Sequence, residues 1–229
     1  MRDRHLIHRS FSAERLQTYE AAAARMAGHT HAFELYEWNM HISCAFMLPL
    51  HTCEIVIRNA VADAIALRHG PAWPWQDGLR LSLPGSAGGY NARDELRRAA
   101  GSCSSTPSVV AGLRFAFWQH MFTQRFDQSL WSKTIQRVMP GSSDPARQTR
   151  ARTFADLERV RHLRNRIAHH EPIFGRDLDE DLTTILRLVR LRCPHVGQWM
   201  QIRQTVSALL IQGPSRFTPP AASPCPNAG

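Results

Sequence analysis

Arg164, Asn165 and His169 sit in one short string, Arg164-Asn165-Arg166-Ile167-Ala168-His169-His170-Glu171-Pro172. A histidine can take or give a proton near neutral pH. An arginine carries a fixed positive charge that can steady an anionic transition state. Together they suit attack of an RNA 2′-hydroxyl on the adjacent phosphate. In that reading His169 handles the proton, Arg164 faces the phosphorane-like oxygens, and Asn165 orients the histidine or the phosphate. The chemistry needs no metal and no cofactor. His169, His170 and Glu171 are consecutive, so on a helix they point in different directions and do not make a zinc site.

The element that must position this string is a helix opening at Asp144-Pro145 and running to His170 or Glu171, the longest helix expected in the chain. Phe154, Leu157, Val160, Leu163, Ile167 and Ala168 keep a 3.6-residue stripe along it. Arg164 falls near the middle of that stripe. It must therefore meet a partner or line a cleft or an interface, because a charge is not left buried and unpaired. Asn165 and His169 share the stripe's margin and Arg166 and His170 lie further round; Arg161, Arg166 and His170 are candidate supporting or substrate-binding residues. At 100° per residue Arg164 and His169 are about 140° apart. They converge on one ligand if the last turn unwinds, which Pro172 favours, or if a second copy of the chain completes the site. A helix C-terminus also favours a cationic imidazole at His169.

Composition bounds the rest. The chain has 229 residues, a 43% hydrophobic fraction and a formal net charge of +9. Lys133 is the only lysine, so nearly all of the positive charge is arginine, which suits phosphate and an RNA partner. Cys44, Cys53, Cys103, Cys193 and Cys225 are scattered and form no C-x-x-C pair, which argues against a disulfide framework and a structural zinc. The N-terminus has no apolar run behind it, so no signal peptide is expected. The apolar region 42–67 is interrupted by Pro49, His51, Glu54, Arg58 and Asp63, so no membrane span is expected either. A reducing, cytoplasmic setting follows.

In chain order, residues 1–10 read as a basic arm. Helices are expected from Ser12 to Gly28, from Thr30 to a kink or stop at Pro49, and over 51–67, with Gly70-Pro71 as the stop. Glu54, Arg58, Val61 and Ile65 share a face of the third, so Glu54 and Arg58 are either an intrahelical ion pair or part of the site. Residues 70–91 read as a long ordered loop with a short strand at 79–83, followed by helices over 91–100, 109–126 and 128–138. The aromatic stripe Phe115, Phe117, Trp118 and Phe122 reads as core rather than as a stacking platform for bases. Helices over 178–192 and 194–211 close the domain. The tail from Gly213 is rich in proline and poor in apolar residues, and reads as disordered. The expectation is an all-α domain over 11–212.

Several segments taken together resemble the Abi-like (abortive infection) family of the HEPN superfamily. They are Arg15-Leu16-x-x-Tyr19, Leu35-Tyr36-x-Trp38-Asn39, Glu54-x-x-x-Arg58-Asn59, Phe117-Trp118 and Leu163 to Phe174, which contains the R-x4-H pattern Arg164/His169. The resemblance implies a HEPN-type helical bundle and metal-independent endoribonuclease activity with Arg164, Asn165 and His169 as its residues. It also implies a homodimer whose two Arg164/His169 helices face each other across one RNA cleft, and a possible antitoxin or inhibitor protein. Toxins of that superfamily controlled by a nucleotidyltransferase antitoxin carry a tyrosine two residues after the histidine. Glu171 stands there, so tyrosine modification is not expected.

Overall fold

The computed structural model describes residues 9–26, 31–85 and 90–216. All of the regular structure among them is helical. Of the expected basic arm over residues 1–10, residues 1–8 lie outside the described residues, as does the tail beyond 216.

The bundle is built round one helix. α1 (Ala13–Ala23) leads into α2 (Ala32–His69), which runs unbroken for 38 residues. Two helices separated at Pro49 were expected. Pro49 instead sits buried inside one, where tertiary packing on both sides outweighs the single ladder bond that proline removes. The start of α2 is set by a capping box between His31 and Glu34, and Gly70 at φ 82° stops it. α2, not the motif helix, is therefore the longest element. By length and composition it is also the one helix among the described residues that could cross a membrane.

Residues 70–85 hold neither the loop nor the strand expected there. A 3-10 turn over Trp73–Trp75 leads into α3 (Asp77–Ser82), because Trp73 and Leu79 are pulled into the core. α4 (Ala92–Ser102) is capped by Asn91. The expected helix over 109–126 is broken into α5 (Thr106–Gly112), α6 (Phe115–His120) and a 3-10 turn at Gln124–Phe126. A π-turn at Asp127–Trp131 then opens α7 (Ser132–Val138). These short pieces exist to bury aromatics: Phe117, Trp118, Phe122 and Trp131 are all within 1% of full burial, and Phe122 stacks on Trp131 at 4.3 Å. The aromatic stripe is core, as its spacing suggested.

α8 (Ala146–Ala168) carries the motif, α9 (Leu178–Arg192) lies across both α2 and α8, and α10 (Pro194–Arg203) and α11 (Val206–Arg216) close the bundle. The single expected last helix is two, and α11 runs past Gly213 with a break there at φ 62°. The N-cap of α8 is Pro145, one residue later than expected. Leu157, Val160 and Leu163 of α8 meet Ile57, Val61, Leu182, Ile185 and Val189 in the core. Ion pairs clamp the helix alongside. Arg150 bonds Asp127, Arg187 bonds Asp156, and Arg159 and Arg176 both bond Asp181, whose side chain is 1% exposed.

Candidate functional site

The apolar stripe of α8 is buried only as far as Leu163. Beyond it Arg164, Ala168 and His169 are exposed and Ile167 is half-buried, so the C-terminal end of the stripe stands open. Opposite runs a face of α2 on which Met40, Met47 and Leu48 are 41%, 55% and 36% exposed. Between these faces and α1 lies a groove of about 590 Å³. Its lining includes Phe11, Arg15, Tyr36, Met40, Met47 and Ile167.

Arg164 points at α2. Its Nε lies 3.3 Å from Glu54 Oε2, with side chains 45% and 30% exposed. Glu54, expected either to pair with Arg58 or to belong to the site, pairs with Arg164. Arg58 is not drawn to the motif, and its Nε is buried without a partner among the described residues.

The helix ends at Ala168, earlier than the expected His170 or Glu171, and His169 is its C-cap. The His170 N–H donates to Ile167 O at 3.0 Å and the Glu171 N–H to Arg166 O at 2.8 Å, the bonding of a Schellman turn. Such turns favour glycine at the reversal, yet His170 occupies it at φ 56°. Side chains hold the strained turn from three directions. Arg15 Nη1 donates to His170 O at 2.8 Å, Arg166 donates to Pro172 O at 2.7 and 3.0 Å, and Asn39 Oδ1 accepts from Ile173 N at 2.8 Å. Tyr19 packs edge-on to both Tyr36 and Phe174, and burial pushes its hydroxyl up to about 12, against the opposing pull of Arg15 and Arg166. Arg166, expected as a supporting or substrate-binding residue, buttresses the turn, and His170 enters through its backbone.

Asn165 and His169 share one face of α8 with Arg161, while Arg164 lies on another. Within one chain the structure does not bring arginine and histidine of the motif together. On the Asn165/His169 face stand two residues that the sequence reading passed over. His162 Nε2 is 2.9 Å from Glu158 Oε1, and the same carboxylate accepts from Arg161 and from the buried Gln119 of α6. Burial raises the Glu158 carboxyl, but bonds from Arg161, Gln119 and His162 outweigh it and hold the group below its ordinary value. The i, i+4 spacing of Glu158 and His162 was the available signal. Among the described residues no three His, Cys, Asp or Glu gather as a metal site.

No family model, curated protein or solved structure matches the chain. The fold and site define an all-α protein whose helix end, with Arg164 and His169 exposed and Asn165 half-buried, adjoins an apolar groove.

Proposed function

We propose that the chain is a metal-independent endoribonuclease of the HEPN type, working as a homodimer in the manner of abortive-infection toxins. The observation that carries this reading is the open end of the α8 stripe. Arg164 stands beside the uncovered Ile167, Ala168 and Met40/Met47 face of α2, and Asn165 and His169 lie round the same helix end on another face of α8. An apolar face beside charged groups suits an interface, and a second copy laid there brings one chain's arginine toward the other's histidine. The segments that carry the resemblance also meet at this end of α8: Arg15, Tyr19, Tyr36, Asn39 and Phe174 surround the turn, and Glu54 reaches Arg164. RNA supplies the anionic partner for the +9 chain, and the reaction is 2′-hydroxyl attack leaving a 2′,3′-cyclic phosphate. In a bacterial cytoplasm such an activity would call for a protein inhibitor.

The test is cleavage of single-stranded RNA in EDTA by the purified protein. Arg164→Ala and His169→Ala are each expected to lose at least about 100-fold in rate while remaining folded. Full activity in both variants discards the site.

The Arg164–Glu54 pair favours a second reading, a non-catalytic RNA- or protein-binding module in which Arg164 is structural. Magnitude separates the two. A half-exposed pair at this distance contributes about 0–1 kcal/mol, so a melting temperature that falls by many degrees in Arg164→Ala, with RNA bound but never cut, selects the module.

A further inference from the structure

We propose that a cleft beside α4, apart from the motif, binds a nucleotide unit through its phosphate, whether or not the chain cuts RNA. Tyr90, Asn91, Asp94, Arg97, Arg98 and Arg114 line this cleft of about 440 Å³. That volume falls within the roughly 300–1,000 Å³ that small-ligand pockets occupy.

Exposed arginines on a helix usually form no more than a solvated face, and α4 itself shows what an engaged one looks like. Arg93 donates through Nε to Leu83 O at 3.0 Å and through Nη2 to Leu81 O at 3.0 Å. Arg97 and Arg98 are held far more loosely. Arg97 meets Asp94 at 3.3 Å, with side chains 67% and 47% exposed. Arg98 donates from Nε to the Asp94 carbonyl at 3.3 Å, and among the described residues no carboxylate pairs with it. Arg114, the N-cap of α6, is instead fixed in place. Buried Glu95 accepts from its backbone N–H at 2.7 Å, from Nε at 3.1 Å and from Nη2 at 2.9 Å. The Arg114 guanidinium carbon lies 5.5 Å from the centre of the Tyr90 ring.

Charge selects the class of ligand. Glu95 answers Arg114 and Asp94 answers Arg97, which leaves Arg98 over and the cleft with an excess of positive charge. The exposed Arg97–Asp94 pair exchanges its carboxylate for an incoming anion at little cost. Guanidinium forks match the oxygens of a phosphate two at a time, and the fork that Glu95 locks needs no reordering when the anion arrives. The Tyr90 ring and the Arg114 plane add flat surfaces of the kind on which bases stack. A phosphate joined to a flat ring is a nucleotide, either one unit of an RNA strand or a free mononucleotide. The Tyr90 ring also meets His120, whose neighbour Gln119 braces Glu158 of α8. α6 therefore stands between the cleft and the motif helix.

The test uses the full chain and two probes. One is a short single-stranded 2′-O-methyl RNA, which has no free 2′-hydroxyl and cannot be cut by 2′-hydroxyl attack; the other is adenosine 5′-monophosphate. Arg97→Ala/Arg98→Ala is expected to keep the wild-type melting temperature, since both side chains are exposed, and to weaken binding of one probe about 10-fold or more. If the ligand is a strand, the RNA is the probe affected. Its slope of log Kd against log salt then flattens by about 1.4, two phosphate contacts at about 0.7 each. If the ligand is a free mononucleotide, adenosine 5′-monophosphate is affected and RNA binding is not. Arg25→Ala/Arg147→Ala removes the same charge from exposed positions elsewhere, and is expected to change either affinity by less than about 2-fold. Equal losses in the two double variants overturn the inference. So does wild-type binding of both probes by Arg97→Ala/Arg98→Ala, or a wild type that binds neither. Unmodified RNA that is held through the cleft and never cut sinks the endoribonuclease reading and leaves this one standing.

Discussion

The two halves of α8 use the same side chain for opposite ends. In the N-terminal half and middle, Arg150 and Arg159 reach carboxylates that are nearly or fully buried, Asp127 and Asp181, through short bonds of 2.7 and 2.6 Å. In the last turns Arg161 and Arg164 are a third to half exposed, and Arg164 meets Glu54 at 3.3 Å without hydrogen-bond geometry. Burial of the acceptor makes the difference. A desolvated carboxylate must keep its cations, whereas an exposed pair exchanges them for water or phosphate at little cost. One half of the helix is fastened and the other is free to bind.

The sharpest way to break that contrast is to strip Asp181 of both partners. Arg159→Ala/Arg176→Ala leaves a carboxylate 1% exposed with no cation. The expected loss is about 3–5 kcal/mol, a fall on the order of 10 °C in melting temperature for a chain of this length. A calorimetric shift below about 2 °C would mean that the two classes of arginine do not differ.

The turn after the motif offers a smaller effect of opposite sign. His170 holds a left-handed conformation at φ 56°. His170→Gly is expected to stabilise by about 0.5–1 kcal/mol, since glycine takes that conformation without a Cβ clash but loses more chain entropy. Among the described residues His170 is held through its backbone, its N–H by Ile167 O and its carbonyl by Arg15. RNA cleavage should therefore survive in His170→Gly while it is lost in His169→Ala. Destabilisation measured by denaturant titration would show that the imidazole, not the backbone, holds the turn.

The contrast also marks what the sequence could disclose. All-α structure, the core role of the aromatic stripe and the span of α9 were readable because they depend on periodicity along one helix face. Three things were not. Pro49 reads locally as a breaker, and only packing on both sides of α2 overrides it. Trp73 and Leu79 sit among prolines and glycines, and their burial turns a loop into α3. Glu158–His162 has a legible spacing, but its anchor Gln119 lies 39 residues away in sequence, on α6. A single-helix wheel cannot contain a brace supplied by another helix. The same limit hid the uncovered face of α2, since exposure of Met40 and Met47 is a property of the whole bundle.

The smallest expected effect tests whether the fastened half also sets the acid limit of the protein. His120 ends α6 next to the Gln119 brace, and its Nε2 is buried without a partner among the described residues, between Tyr90 and Phe126. Burial first, then the Arg125 charge, lowers its pKa below the ordinary 6.5. Burial and Arg68 lower His69 in the same direction. A lowered value means that the unfolded chain takes up a proton that the folded chain refuses. The contribution is therefore full above pH 6.5 and is lost as pH falls from there through the folded value. Glu158 is lowered too, but from 4.5, so its contribution is lost only at more acidic pH. Melting temperature followed downward from pH 7.5 should decline in the first window in the wild type and decline less steeply in His120→Phe, which keeps the ring contacts and removes the titration. Parallel curves for the two proteins would assign the acid sensitivity to other groups and leave α6 a passive support for Gln119.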